Sequence, residues 1–186
     1  MLKNKGAMFG LDARIALAIF GALSVISGAA LYNAIQQART VQLAASLSEL
    51  EKAVSAYMLD TGVDVIDSAD NIAPAVLSIK DLQVSSVTGW QGPYLNYETT
   101  ANDYHLNFPG YGLIAITKAN TTDNTREDIC TALTDCYYIF SMRDIPDELK
   151  KSLDEYIDGA IDDNSGRVRY ISTHLYYYST IPLMNN

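Results

Sequence analysis

Residues 15–60 read IALAIFGALSVISGAALYNAIQQARTVQLAASLSELEKAVSAYMLD, with no proline and, after Ile35, no glycine. In the second half, apolar side chains recur at alternating spacings of four and three, which places them on one helical face. These side chains are Leu43, Leu47, Leu50, Val54 and Tyr57. Gly62 follows where a helix would stop. The pattern predicts one unusually long helix from near Asp12 to Asp60.

The first half of this helix is apolar on all sides. Ile15 to Leu31 contains no charged residue, and continuing the run through Ile35 makes it long enough to cross a bilayer. Basic residues precede the run and none follows until Arg39, so the N-terminus should stay in the cytoplasm. A cleaved secretory signal peptide, with residues 28–30 as the cleavage site, is the alternative.

The acidic residues lie almost entirely beyond the apolar run. The sequence has 186 residues and a net charge of −9, from 22 acidic and 13 basic residues, and every acid except Asp12 follows residue 41. This length suggests one domain plus an appendage. A strongly acidic domain argues against nucleic acid as a partner, because phosphate binding needs a basic surface. It also argues against a domain that lies on an anionic membrane surface.

The sequence contains none of the common catalytic or nucleotide-binding motifs. It has no G-x-S-x-G, no P-loop and no G-x-G-x-x-G. His105 and His174 fall in strand-like runs, where a half-buried sheet residue is more common than a catalytic base. We therefore expect no enzymatic activity. The aromatic run 176–178 instead suits a subunit interface or an exposed adhesive surface.

The rest of the chain predicts a small antiparallel sheet with one further helix. Strands are expected within residues 94–98, 103–108, 111–119, 137–140, 167–171 and 175–181. Residues 146–157 carry apolar side chains at four-residue spacing and predict a helix, and a shorter helix is expected at Ala73–Ile79. Trp90 is expected to anchor the core beneath a loop. The fold class is therefore α+β, with the sheet packed on the apolar stripe of the long helix.

Cys130 and Cys136 are the only cysteines. An even number of cysteines outside the cytoplasm favours a disulfide, and this spacing does not fit a C-x-x-C redox or zinc motif. We therefore expect a bridge between Cys130 and Cys136 that closes a small loop. Two buried free thiols are the alternative.

The densest acidic cluster reads IDGAIDDNSGRVR from residue 157 to residue 169. It offers Asp158, Asp162, Asp163 and Asn164 ahead of a glycine, and oxygen ligands at such close spacing suit calcium. The EF-hand pattern is not met. The alternative is a polar turn capped by its own Asx side chains. Calcium is the only cofactor that the sequence suggests.

Four segments of the chain resemble the type IV pilin and type II secretion pseudopilin superfamily. Met8–Asp12 reads MFGLD and fits the start of a mature pilin, with an acid at the fifth position, and Ala18–Gly21 fits the A-I-x-G stretch that follows. Leu47–Gly62 resembles the end of the family's long helix, and Gly89–Leu95, GWQGPYL, resembles a segment common in pseudopilin heads. The resemblance is good for residues 1–62, moderate for residues 89–97 and thin after that.

The resemblance implies that residues 1–7 form a basic leader that prepilin peptidase removes. The family is cleaved after glycine, whereas here Ala7 precedes Met8 and Gly6 lies one place earlier. The mature chain would begin at Met8, or at Ala7 if Gly6 is recognised. Asp12, in place of the usual glutamate, would neutralise the amino terminus of a neighbouring subunit. Alternatively, Asp12 lies at the membrane interface near the start of the helix, where its negative charge interacts favourably with the helix dipole.

On this resemblance, residues 8–35 form a transmembrane and polymerisation helix, and residues 36–186 form an extracytoplasmic head. The expected function is a structural subunit of a type IV pilus-like or type II secretion pseudopilus filament. Its partners would be copies of itself, other pilins, prepilin peptidase and the inner-membrane assembly machinery. It would lie in the bacterial inner membrane and then in a periplasmic or cell-surface filament.

Some pseudopilin heads bind calcium in a late loop, which adds weight to the calcium prediction. The alternative function, from another class, is a membrane-tethered periplasmic binding module that does not polymerise.

Overall fold

The computed structural model of the protein describes residues 6–70, 75–120 and 136–184. Within these residues it contains a long helix, a short helix and seven strands joined in one antiparallel sheet. The α+β prediction is therefore confirmed. The chain divides into two compact units, of which the first ends at Arg39 and the second begins at Thr40.

Helix α1, Gly6–Thr61, is the long helix that the sequence predicts. It ends at the expected place: Gly62 adopts a φ of 71°, and its N–H bonds to the carbonyl of Met58 at 2.9 Å. The predicted start near Asp12 is wrong, because the helix begins at Gly6. Residues 6–11 contain no proline, so no residue there prevents the helix from extending back to Gly6.

The predicted stripe on the second half of α1 forms the centre of the second unit's core. Leu43, Leu47, Leu50, Val54 and Tyr57 are all fully buried. They belong to the same cluster as the sheet residues Ile116, Phe140 and Leu175. This contact between helix and sheet is the arrangement that the spacing of the stripe predicts.

The sheet is built from strands that follow one another closely in sequence. The strands are β1 Val76–Leu77, β2 Glu98–Thr99, β3 Leu106–Phe108, β4 Gly112–Asn120, β5 Cys136–Arg143, β6 Val168–Ile171 and β7 His174–Pro182. Their order is β2-β3-β4-β5-β7-β6, and β1 also pairs with β4. The strands predicted at 103–108, 111–119, 137–140, 167–171 and 175–181 are thus present, with shifted ends.

Two local predictions are wrong. The run from Tyr94 forms a strand only at Glu98–Thr99, because the residues before it cross the end of α1. In place of a helix at Ala73–Ile79, the described part of that stretch forms β1, in which Val76 pairs with Thr117 of β4. A single 3-10 turn, Ile79–Leu82, follows. Val76 and Leu77 are adjacent apolar residues and both are buried. This fits a short strand that is covered on both faces better than it fits a helix.

The segment Gly89–Leu95 passes across the C-terminal end of α1. Gly89 has a φ of 91°, and a Cβ at this position would collide with the carbonyl oxygen of Asp60, so glycine is required. The Tyr94 hydroxyl donates to the Asp60 carboxylate at 2.7 Å. Trp90 donates from Nε1 to a carbonyl of the 3-10 turn at 2.9 Å and packs against the core. Its expected anchoring role is confirmed.

Helix α2, Asp147–Asp158, lies beside β6 and matches the predicted helix closely. Leu149 and Leu153 face the core and are buried. The helix ends at Gly159, which has a φ of 79° and whose N–H bonds to the carbonyl of Glu155 at 3.1 Å. The loop 159–167 then returns the chain to the sheet as β6, the edge strand.

Candidate functional site

The N-terminal part of α1 carries large apolar side chains that are exposed. They are Leu11, Ile15, Leu17, Ile19, Phe20, Leu23, Val25, Ile26, Leu31, Tyr32 and Ile35. The most apolar stretch of this helix has a mean hydropathy of 2.1, and none of it is buried. By length and composition the helix can cross a membrane. A signal sequence has the same property, so processing decides between the two interpretations.

Small residues open gaps in this apolar surface. A Cβ added at Gly10, Gly21 or Gly28 would meet no atom within 4 Å, so packing inside the chain does not require glycine at these positions. Glycines on an apolar helix let a second helix approach closely. The Ser24 hydroxyl donates to the carbonyl of Phe20 at 2.8 Å, so it needs no outside partner in lipid.

Asp12 is the acid at the head of this apolar surface. Its side chain is exposed, and the ion pairs found among the described residues include neither Asp12 nor Arg14. Because α1 begins at Gly6, the first helical turn contains no acid. An interaction between Asp12 and the helix dipole is therefore weak in the uncleaved chain, since the effect fades beyond the first turn. Asp12 is left as a charge without a partner inside the described chain.

The cleavage residues lie at the start of the same helix. Gly6, Ala7 and Met8 belong to α1, and the structure describes only their backbone. Cleavage after Gly6 or after Ala7 stays a prediction.

Glu51 joins α1 to the far edge of the sheet. Its Oε1 accepts hydrogen bonds from Arg167 Nη2 at 2.8 Å and from the N–H of Thr180 at 3.1 Å. Arg167 also donates from Nε to the carbonyl of Tyr178 at 3.1 Å, and its guanidinium lies 4.7 Å from the ring centre of Tyr177. Burial, and less strongly the charge of Glu51, raise the pKa of Tyr177 to about 12. These bonds fix the rotation of this half of α1 against the sheet.

The residues predicted to bind calcium already accept hydrogen bonds within their own loop. Asp158 accepts the N–H groups of Arg167 and Val168, both at 2.8 Å. Asp162 accepts the N–H of Asn164 at 3.0 Å and the Ser165 hydroxyl at 2.7 Å. The Ser165 hydroxyl, followed by the Asn164 N–H, lowers the pKa of Asp162.

The remaining acid of the loop, Asp163, accepts a hydrogen bond from the side-chain amide of Asn164. The loop therefore has the Asx-type bonds of a polar turn. In the part of the chain that the structure describes, no three acidic, histidine or cysteine side chains are grouped as metal ligands. Calcium binding at Asp158, Asp162, Asp163 and Asn164 stays a prediction.

Asp154 also belongs to this acidic cluster, although the sequence pattern did not point to it. Its side chain is fully buried, and Oδ2 accepts the N–H of Asp162 at 2.7 Å. Oδ1 has no hydrogen-bond donor among the described residues. Burial raises the pKa of Asp154, and the nearby carboxylates of Asp158 and Asp162 raise it further. The Asp154 carboxyl therefore keeps its proton to a higher pH than an exposed aspartate.

Cys136 begins β5, where it is buried and disulfide-bonded. Cys130 lies outside the described residues. The predicted bridge between Cys130 and Cys136 therefore stays a prediction, although Cys136 is not a free thiol.

The tyrosine run and the histidines are placed by the sheet. Tyr177 and Tyr178 are buried, so the expectation of an exposed run at 176–178 is wrong for two of its three residues. Strand alternation explains this, because Tyr177 faces the main core and Tyr178 faces the other side of the sheet. His105 and His174 are half-buried, as expected.

Sequence reasoning also missed Glu51, Arg167 and Lys150. Lys150 is buried on α2 and donates to Asp147 at 2.9 Å and to the carbonyl of Ser172 at 2.6 Å. One signal was available for Lys150 and Asp154: they lie next to Leu149 and Leu153 on the core-facing side of α2. No local pattern points to the pair of Glu51 and Arg167, which are far apart in the sequence.

Comparisons with protein-family models, with curated proteins and with solved structures found no match to this chain. The site must therefore be interpreted from its own chemistry.

Proposed function

We propose that the protein is a pilin-like, membrane-anchored subunit that polymerises through the apolar N-terminal part of α1. The observation that carries this proposal is the exposed apolar surface of residues 15–35. The most apolar stretch of the helix is not buried at all. Such a surface is unfavourable in water, so it needs lipid, or other helices, as neighbours. Filament assembly would exchange the first environment for the second.

The acid near the start of α1 supports assembly into a filament over simple anchoring in a membrane. A membrane tether does not need an acid at the edge of its apolar segment, where a carboxylate costs free energy on insertion. Asp12 has no partner within the described chain. Pairing with the amino terminus of a neighbouring subunit would remove this cost and set the axial register of the filament.

Small residues support close packing between copies. Gly21 and Gly28 leave open space on the helix surface, and copies that contact one another head to tail without closing a ring form an open helical polymer. The resemblance of residues 1–62 to pilins and pseudopilins points the same way.

Substitution of Asp12 tests this proposal. Asp12→Ala should leave a folded, membrane-inserted protein, because the head and the apolar run are unchanged, but should sharply reduce its recovery in sheared or secreted filaments. Asp12→Glu keeps the charge and is the matched control, which should assemble like the parent. If Asp12→Ala assembles as well as Asp12→Glu, the chain is better described by the alternative, a membrane-tethered binding module.

A further inference from the structure

The outward face of the sheet is the side turned away from α1. Inward residues such as Ile116, Phe140 and Tyr177 belong to the main core, so the residues that alternate with them face outward. Pairing places four outward residues in one row across β4, β5, β7 and β6. The row is Ala115, Ser141, Tyr176 and Arg169.

This face carries no carboxylate on its four main strands, although the chain has 22 acidic and 13 basic residues. The outward positions of β4 to β7 include Arg143, Arg169 and His174, but no Asp or Glu. On the same side of the sheet, the edge strand β2 carries an acid, Glu98, opposite Asn107. A patch with only positive charges on an acidic protein is locally attractive to anions.

A cleft of about 210 Å³ opens on this face between the start of β3 and the end of β5. Ala115 and Ser141, which have small side chains, are among the residues that line it. One wall is made by Tyr104 and His105, whose ring centres lie 4.3 Å apart. Arg143 lies at the other side. The cleft is smaller than a typical drug-sized pocket, so it fits a ligand of one small ring.

Arg143 defines the charge that this cleft accepts. Its side chain is exposed, and it takes part in no ion pair within the described ranges of the chain. A guanidinium offers a planar fork of donors that matches a carboxylate. The Ser141 hydroxyl beside it can donate to and accept from sugar hydroxyls. The rings of Tyr104 and His105 are tilted by 52° to each other, so one ring at a time can pack against the face of a sugar ring.

A second cleft of about 470 Å³ lies beside the ends of β5, β6 and β7. It is lined by Tyr137, Arg169 and Tyr178, and the Arg169 guanidinium lies 4.2 Å from the ring centre of Tyr178. Arg167 also lines it, but Glu51 balances that charge. The two clefts therefore repeat the same chemistry, an arginine beside aromatic rings and hydroxyls.

From this arrangement we propose that the outward sheet face binds an acidic polysaccharide, with the carboxylate of one sugar unit held by Arg143. Nucleic acid fits the face less well, because its dense phosphate charge is repelled by a protein of net charge −9. A polysaccharide with one carboxylate per sugar unit carries a lower charge density and offers rings for the aromatic walls. This binding is independent of filament assembly.

The test uses the full chain in detergent micelles, titrated in a calorimeter with a tetrasaccharide of galacturonic acid and with a neutral glucose tetrasaccharide. The acidic probe should bind and the neutral one should not. Arg143→Gln should weaken binding of the acidic probe about tenfold or more, because a charge-assisted hydrogen bond is lost, and Arg143→Lys should recover part of the loss. Lys151→Gln removes one exposed positive charge on α2 and is the control that should bind like the parent.

Three results would overturn the proposal. One is equal binding of the neutral tetrasaccharide, and another is unchanged binding in Arg143→Gln with an unchanged melting temperature. The third is displacement of the acidic probe by inorganic phosphate, or by single-stranded DNA, at an equal concentration of negative charge. Asp12→Ala should bind the acidic probe normally, so a failed filament assay does not affect this result.

Discussion

The guanidinium of Arg167 donates to the carboxylate of Glu51 at 2.8 Å and so ties the edge of the sheet to the second half of α1. The pair is only partly exposed, with 37% of the Arg167 side chain and 19% of the Glu51 side chain accessible. Glu51 also accepts the N–H of Thr180. One carboxylate on the helix thus holds both β7 and the residue that precedes β6.

The first prediction concerns this pair. Glu51→Ala should destabilise the head by about 1–2 kcal/mol, since it leaves the Arg167 guanidinium and the Thr180 N–H without their acceptor, while partial exposure limits the cost. This corresponds to a fall in melting temperature of about 2–4 °C per kcal/mol. Glu148→Ala, which removes an exposed acid from α2, is the control. A double-mutant cycle with Arg167→Ala that gives a coupling energy of zero would refute the interaction.

A second prediction concerns Asp154 and pH. Its folded-state pKa is raised, chiefly by burial, above the value of about 3.9 expected in the unfolded chain. The protonated carboxyl therefore contributes stability that is complete below about pH 4 and is lost as pH rises through the folded-state pKa.

Asp154→Asn removes this dependence. The asparagine can still accept the Asp162 N–H, and it carries no buried charge. The variant should melt near the parent at pH 4 and above it at pH 7, by about 2–4 °C for each kcal/mol gained. Thermal melts of both proteins from pH 4 to pH 8 measure the gap, and Glu148→Gln serves as the exposed control. A constant or shrinking gap across this range is the contrary result.

The third prediction concerns calcium. If Asp158, Asp162, Asp163 and Asn164 bind the ion, the full chain in detergent should melt higher in millimolar calcium than in EGTA, because a ligand that binds only the native state stabilises it. Asp162→Ala combined with Asp163→Ala should abolish the difference. An unchanged melting temperature in the parent would show that the loop is a self-capped polar turn.

The fourth prediction concerns processing. Intact mass of the protein from membranes should show loss of residues 1–7, or of residues 1–6 if Gly6 is the recognised residue. Ala7→Phe replaces the small residue at the predicted junction and should block the first of these products. A mature chain that begins at Met1 contradicts the pilin interpretation, and one that begins beyond Ala29 identifies the apolar run as a secretory signal peptide.

Local periodicity explains which parts of the fold were predictable. The stripe that includes Leu43 and Tyr57, the stop at Gly62 and helix α2 each depend on residues close together in sequence, and all are present in the structure. The helix start was predicted at the wrong place because residues 6–11 contain no residue pattern that marks a helix start and no proline that would exclude a helix. Strand β1 was missed because Val76 and Leu77 are too few residues to show alternation.

The candidate site was only partly predictable, for a related reason. The apolar run and Asp12 are visible in the sequence because their chemistry is local. The bond between Glu51 and Arg167, and the row that places Ser141 beside Tyr176 and Arg169, exist only after the strands pair. Burial of Asp154 was likewise hidden, because an aspartate is normally assigned to the surface.

Crosslinking between copies tests the central claim, assembly through the apolar part of α1, most directly. Single cysteines at Gly21 or Gly28, where the helix surface is open, would be introduced in the full chain and oxidised in filament-bearing cells. The account predicts covalent dimers, the only product that one cysteine per chain can form, which are lost in the Asp12→Ala background and retained with Asp12→Glu. Only monomers at every position tested between residues 15 and 35 would contradict it.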